Sequence, residues 1–321
     1  GLNTFIRVFT AVPTTNEDGV HIGGIVGFLR SIGFAINMVR PTRTIIVFDG
    51  KGGSNRRRKI FPEYKAGRKM SLRLNRTDGI SLTRADEHKM MIAQLNRVIE
   101  YLELLPLTIT TAENIEADDV IGYSAKHVFK DKVTIMSTDK DFLQLVDDRI
   151  SVWSPTKKKM YDQEKILEEY GISSTNFLLF RTMDGDKSDG IPGIKGAGIK
   201  TLLKLFPWLE SPHKFTIEDV LKSAESKKKQ FKLCEVITNS SDQLLLNKKL
   251  MDLDEINISG SSKLKIQEIC GNPIQRLVKH IFQKKFLEDK LYTALPNLDS
   301  WLHTTFNRLN FMAEKTHGTK T

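Results

Sequence analysis

Apolar positions along this chain alternate between a helical and a strand-like period. Near the start, Phe5, Ile6, Val8 and Phe9 supply helical apolar faces, with Asn3 and Thr4 placed to cap them. A second helix is predicted over residues 23–38. Residues 44–48, Thr-Ile-Ile-Val-Phe, read as a buried β-branched strand ending at Asp49-Gly50. Strand-like runs recur at 107–110, 133–137 and 150–153. Helical patterns lie between them. One starts at Thr83, a capping residue, and carries Met91, Leu95, Val98 and Leu102 three or four positions apart. Another starts within Glu116–Asp119 and carries Val120, Ile121, Ala125 and Val128. Strands alternating with helices predict an α/β fold with a mostly parallel central sheet flanked by helices. Ligands in such folds sit outside the carboxyl ends of the strands, where Asp49, Asp139 and Asp141 fall.

Beyond Trp153 the pattern turns helical. Lys157-Lys158-Lys159 reads as a turn, and helices are predicted at 163–169 and 175–183. The chain from about 208 onward is helical and lysine-rich, with Lys227-Lys228-Lys229 as a basic patch. Two domains follow: an N-terminal one over 1–172 and a C-terminal helical one over 173–321.

Composition sharpens this picture. The 321 residues are 40% hydrophobic, enough for a sizeable core, and the formal net charge is +10. A positive excess of that size faces a polyanion, with nucleic acid the first candidate and an anionic membrane surface the second. No apolar run approaches the ~20 residues of a spanning helix, and no signal peptide is visible. The two cysteines, Cys234 and Cys270, read as reduced thiols, and the seven histidines lack zinc-type spacing. A cytoplasmic-type compartment fits. Between Lys51 and Arg76 ten basic residues face one acid, Glu63. This run leaves the chain just after Asp49 and returns into a long helix. It reads as a mobile basic excursion, about residues 51–90, over an active site.

The acids themselves carry the chemistry. Asp49, then Glu116, Asp118 and Asp119, then Asp139 and Asp141, then Asp186 and Asp189 form four short clusters, most of them after a buried strand. Two unit charges ~4 Å apart repel by about 4 kcal/mol at an effective dielectric near 20. Several such pairs exceed a fold's net stability of about 5–15 kcal/mol unless cations sit between them. Oxygen-only ligands point to Mg²⁺ or Mn²⁺. A second signal is Gly190-Ile191-Pro192-Gly193-Ile194-Lys195-Gly196-Ala197-Gly198-Ile199-Lys200. Small residues let the backbone approach a phosphate closely, and Lys195 and Lys200 add charge. This segment is expected to be a helix-hairpin-helix DNA-backbone binder spanning about 176–206.

These motifs together resemble the 5′ nuclease superfamily: flap endonucleases, the 5′ nuclease domain of bacterial DNA polymerase I, and stand-alone bacteriophage 5′–3′ exonucleases of the ribonuclease H type. Val47-Phe48-Asp49-Gly50 resembles the second metal-aspartate strand, and Phe61 through Arg68 the basic motif at the base of the helical arch. Ile115 through Gly122 and Ser137 through Val146 are similar to two further acidic motifs. Met183 through Lys200 resembles the last acidic pair joined to its hairpin, and Asn247 through Leu253 the end of the shared core.

The resemblance implies a PIN-like fold with a helical arch and two Mg²⁺ ions, Mn²⁺ substituting, with K⁺ at the hairpin. It implies that Asp49, Glu116, Asp118 and Asp119 serve one metal region, and Asp139, Asp141, Asp186 and Asp189 the other. Lys65 and Arg68 would neutralise the scissile phosphate. Arg57 and Arg58 would guide a 5′ single strand, Tyr64 would stack on a base, and Arg7 would lie near the site. Gly193, Lys195, Gly196, Gly198 and Lys200 would hold DNA. The implied substrates are DNA with 5′ ends or flaps and RNA–DNA primers, in replication or repair. A monomer is expected, with single-strand-binding protein or a clamp as candidate partners and no membrane. The family opens with a strand ending in a metal aspartate, whereas this chain opens on Gly1-Leu2-Asn3-Thr4, resembling the residues just after it. A fragment of a longer chain is expected. The rival reading is a DNA-structure binder whose metal site is incomplete.

Overall fold

The computed structural model describes residues 1–67, 83–256 and 258–318. In chain order these form α1 (Leu2–Ala11), α2 (Gly23–Val39), β1 (Ile45–Asp49), α3 (Asn55–Ile60), α4 (Arg84–Leu102), β2 (Thr108–Ala112) and α5 (Ala117–Tyr123). Next come β3 (Val133–Met136), β4 (Ile150–Ser154), β5 (Lys159–Tyr161), α6 (Gln163–Tyr170), α7 (Phe177–Asp184) and α8 (Ile199–Leu205). The remainder is helical: α9 (Ile217–Lys227), α10 (Lys232–Asn239), α11 (Ser241–Met251), α12 (Gly260–Gly271), α13 (Lys279–Glu288) and α14 (Leu298–Gly318).

Contacts divide the chain into two compact units. One gathers Gly1–Asp49, the described residues up to Ala112, and those from Gln267 onward. The other gathers the described residues from Gly50 through 67 with Glu113–Ile266.

In the first unit, β1 and β2 pair in parallel, with Ile45 opposite Thr108 and Asp49 opposite Ala112. Ile46, Val47 and Phe48 are all buried, as expected for a strand covered on both faces. Phe5 and Phe9 of α1, Leu29 of α2, Tyr101 of α4, Phe282 of α13 and Phe306 of α14 are fully buried in one cluster. Thr83 caps α4 as its sequence predicts: its side chain accepts from Asp86 N–H, and the Asp86 carboxylate answers the Thr83 backbone.

In the second unit, β3 and β4 pair in parallel, and β4 and β5 pair antiparallel. Ile135, Val152, Phe142, Phe177, Leu202, Phe206 and Ile237 share its core. Parallel strands with intervening helices give the α/β class the periodicity predicts. Strand β5 is an addition. The lysine run is the tip of a hairpin, with Lys158 at φ +50, and Lys159 already belongs to β5. Both cysteines are buried, and neither is in a disulfide. No helix among the described residues is long and apolar enough to cross a membrane.

The hairpin creates a testable ion cluster. Glu169 of α6 accepts from Lys157 Nζ at 2.8 Å, Lys159 Nζ at 2.5 Å and Tyr161 Oη at 2.9 Å. Burial works against its charge, but the donors from Lys157, Lys159 and Tyr161 hold the carboxyl down at about 2. An unfolded glutamate titrates near 4.3, so this depressed group binds fewer protons when folded. Its contribution is present above about pH 4 and is lost as pH falls through about 2. Glu169→Gln is therefore expected to be less stable than the parent at neutral pH, with the gap closing in acid. Paired urea midpoints across this range check the sign.

Candidate active site

The basic segment after Asp49 and the acidic segment before α5 meet inside the second unit. Helix α3 turns its Arg57 inward, where only 2% of its surface remains exposed. Its Nη1 donates to Glu116 Oε2 at 2.8 Å and to Asp119 Oδ2 at 2.8 Å. Its Nη2 donates to Asp119 Oδ1 at 2.7 Å, and its Nε to the Leu250 carbonyl at 2.7 Å. Arg56 adds a bond to Asp119 at 3.0 Å. Glu116 and Asp119 are both buried, so these arginines supply charge that water does not.

Tyr64 and Lys65 extend this network. The Tyr64 hydroxyl donates to Glu116 at 3.0 Å and to Asp189 at 3.1 Å. Burial above all, with the charges of Glu116 and Asp189, raises the phenol beyond its ordinary range and keeps it a donor. Lys65 Nζ binds Glu116 Oε1 at 2.7 Å and lies 4.8 Å from the Tyr64 ring centroid. Lys65 adopts φ +57, and its backbone N–H donates to the Asp189 carbonyl at 2.8 Å. The base of the basic segment is thus tied to the last acidic loop by backbone as well as by side chains.

That loop is organised by Arg181 of α7. Its Nε donates to Asp141 Oδ1 at 2.6 Å and its Nη2 to Asp186 Oδ2 at 2.8 Å. Its Nη1 reaches the Gly185 carbonyl at 2.9 Å and Asp184 at 3.2 Å. Asp139 caps the short 3₁₀ turn Lys140–Leu145 and accepts from Asp141 N–H at 2.8 Å. Burial, followed by repulsion from Asp139, pushes Asp141 up to about 7. Asp139 is raised as well, by burial and then by the charges of Asp186 and Asp189. Asp186 ends below its usual value despite burial, because Ser188 and Arg181 favour its charge.

The structure therefore joins Glu116, Asp119, Asp139, Asp141, Asp186 and Asp189 in one hydrogen-bonded and electrostatic network. Asp118 sits in the first turn of α5, partly exposed. Asp49 ends β1, exposed, in the first unit, and Arg7 lies half-buried on α1 of that unit. Arg68 lies outside the described residues, as do Lys69, Arg73 and Arg76 of the basic run. The guanidinium of Arg57, expected to guide a strand, is buried among two carboxylates and a carbonyl. Tyr64, expected to stack on a base, is 3% exposed with its hydroxyl engaged. Arg58 is exposed and bonds the Tyr64 carbonyl at 3.2 Å. Arg181 was missed from sequence. Its only signal is a basic residue on the helix that delivers Asp186.

The oxygen donor set fits a hard divalent cation. Asp139 and Asp141 are half-buried, and desolvation together with neighbouring carboxylates raises both toward the protonated form. As the side chains lie, no three acidic, imidazole or thiol groups among the described residues close around one point. Arg57 and Arg181 take carboxylate oxygens that a cation would use.

The glycine-rich hairpin follows without a break. Asp186 and Ile191 exchange backbone bonds of 2.9 and 2.8 Å. A Cβ on Gly193 would lie 2.0 Å from the Asp184 carbonyl oxygen, so only glycine fits there. Gly196 adopts φ +90. Gly198 precedes α8, and Lys195 and Lys200 are exposed on either side of it. Asn247 of α11 pins this loop. Fully buried, it donates to the carbonyls of Thr182 and Pro192, each at 2.8 Å. Asn247→Ala is expected to cost about 1–3 kcal/mol, since two buried acceptors lose their donor. Equilibrium urea unfolding measures this.

Comparison with known proteins agrees with the geometry. The family model described as 5′-3′ exonuclease, N-terminal resolvase-like domain, matches residues 1–171. The 5′-3′ exonuclease of Aquifex aeolicus is 28% identical over 290 residues, covering 88% of this chain and 91% of that protein. DNA polymerase I of Bacillus subtilis is 30% identical over 267 residues, covering 79% of this chain but only 28% of the polymerase. Among solved structures, the bacteriophage T5 D15 protein co-crystallised with metal ions matches with TM-score 0.58 and 22% identity. That match covers 82% of this chain and 90% of the T5 protein, and it shows a shared fold. On the family match across more than half its length, this chain belongs to the 5′–3′ exonuclease family.

Proposed function

We propose that this chain hydrolyses phosphodiesters of DNA carrying 5′ ends or 5′ flaps, with Mg²⁺ as its divalent cation and Mn²⁺ as a substitute. One observation carries the reading. Four acidic or basic segments far apart in sequence converge in one network, and a glycine hairpin with exposed lysines follows directly. Asp139, Asp141, Asp186 and Asp189, with Glu116 and Asp119, would hold the cations. Such ions supply an activated water and neutralise charge on the attacking and leaving oxygens. Lys65 would place fixed positive charge beside the scissile phosphate, where charge develops. Lys195 and Lys200 would hold the duplex backbone. The relatives named 5′-3′ exonuclease and the T5 D15 flap endonuclease complex with DNA and metal ions support this reading.

The test is incubation of the protein with a 5′-flap duplex and Mg²⁺. Short 5′ products in excess of a chelated control are expected, and their absence would defeat the proposal. A second reading, a DNA-structure binder without turnover, draws on the arginines that occupy the carboxylates. Flap binding without hydrolysis at any Mg²⁺ concentration would favour it.

A further inference from the structure

Resting on the DNA-binding reading above, we propose that the turn between α9 and α10 is a second nucleic-acid contact that extends the hairpin's track along the same backbone. The turn carries Lys228, Lys229, Gln230, Phe231 and Lys232, all exposed. Its position is fixed by packing. Lys227 donates to the Leu205 carbonyl at the end of α8 and lies 5.8 Å from the Phe206 ring centroid. A Cβ on Gly196 at the hairpin tip would meet Leu233 of α10 at 3.9 Å. Ile194 and Ala197 of the hairpin share one core cluster with Cys234 and Ile237 of α10. Hairpin and turn are therefore packed together, and each carries exposed lysines.

The charges are available. Lys195, Lys200, Lys229 and Lys232 make no ion pair among the described residues, whereas Lys228 pairs with Glu225. A shallow cavity of about 290 Å³ opens beside the turn, lined by Lys228, Lys229, Glu235, Thr238 and Asn239. Lysines gathered on neighbouring segments repel one another, and a polyanion relieves that repulsion. Phe231, 47% exposed between lysines, offers a flat face to a base or sugar. Alternation of cations with an exposed ring is the chemistry of a nucleic-acid surface.

Binding of a labelled 5′-flap duplex in EDTA, measured across KCl concentrations, tests this. Each phosphate contact contributes about 0.9 to the slope of log affinity against log salt. The double variant Lys229→Gln/Lys232→Gln is expected to lower that slope by about two. Lys229→Arg/Lys232→Arg should restore it, and Lys130→Gln/Lys132→Gln, equal in charge lost but placed elsewhere in the unit, should leave it at the parent value. Phe231→Ala should weaken binding about tenfold at unchanged slope, and unchanged affinity would remove the ring from the surface. Equal slopes for the two Gln doubles would overturn the contact while leaving the nuclease reading intact. A parent that shows no salt-dependent binding would overturn both.

Discussion

Asp139→Asn is expected to reduce flap cleavage a hundredfold or more, the scale of losing one group that stabilises developing charge. The same variant should bind flap DNA as well as the parent or better. The amide keeps the Oδ1 acceptor that takes the Asp141 N–H at 2.8 Å, so the turn keeps its shape. It deletes one of the negative charges that Asp186 and Asp189 already oppose. Loss of that charge favours an approaching phosphate and relieves the metal-free protein. Single-turnover cleavage beside binding in chelator separates the two effects. Cleavage equal to the parent would remove Asp139 from the chemistry.

Arg57→Ala is expected to lower stability by about 3–5 kcal/mol, because it removes the buried guanidinium between two buried carboxylates and leaves Asp119 only Arg56 and Glu116 only Lys65 as cationic partner among the described residues. That is a large share of a typical 5–15 kcal/mol. Arg57→Lys should fall between, since one ammonium does not reach Glu116, both oxygens of Asp119 and the Leu250 carbonyl together. Urea unfolding with a constant m-value gives the comparison. A loss within about 1 kcal/mol would mean the pair behaves as a surface ion pair.

The contrast between Arg57 and Arg58 shows where sequence reading stops. Both stand in one basic run, and nothing in the run distinguishes a buried guanidinium from a solvated one. The helical register of α3, set against acids 59 and 62 residues away, decides it. Arg181 escaped notice for the same reason, since its partners come from two separate turns. By contrast, β1 through β4, α2 and the Thr83 cap were legible because their signals are local: β-branched runs, apolar periodicity and a capping box. The glycine hairpin was legible because close backbone contact at Gly193 excludes every other residue. Strand β5 is three residues long, too short for a period. The return of residues 267–318 to the N-terminal unit rests on aromatic packing across some 270 positions, which no window of sequence displays.

That return has a consequence for biosynthesis. The ribosome releases Phe5 and Phe9 well before Phe282, Phe306 and Leu309, which belong to the same cluster. Domains generally fold as they are made, N-terminal first. Here the middle of the message encodes a unit whose own side chains are all available earlier. Helices α1 and α2 must wait, with part of their greasy faces uncovered, until residues 282–309 have been made, and in that interval a nascent-chain chaperone has most to offer.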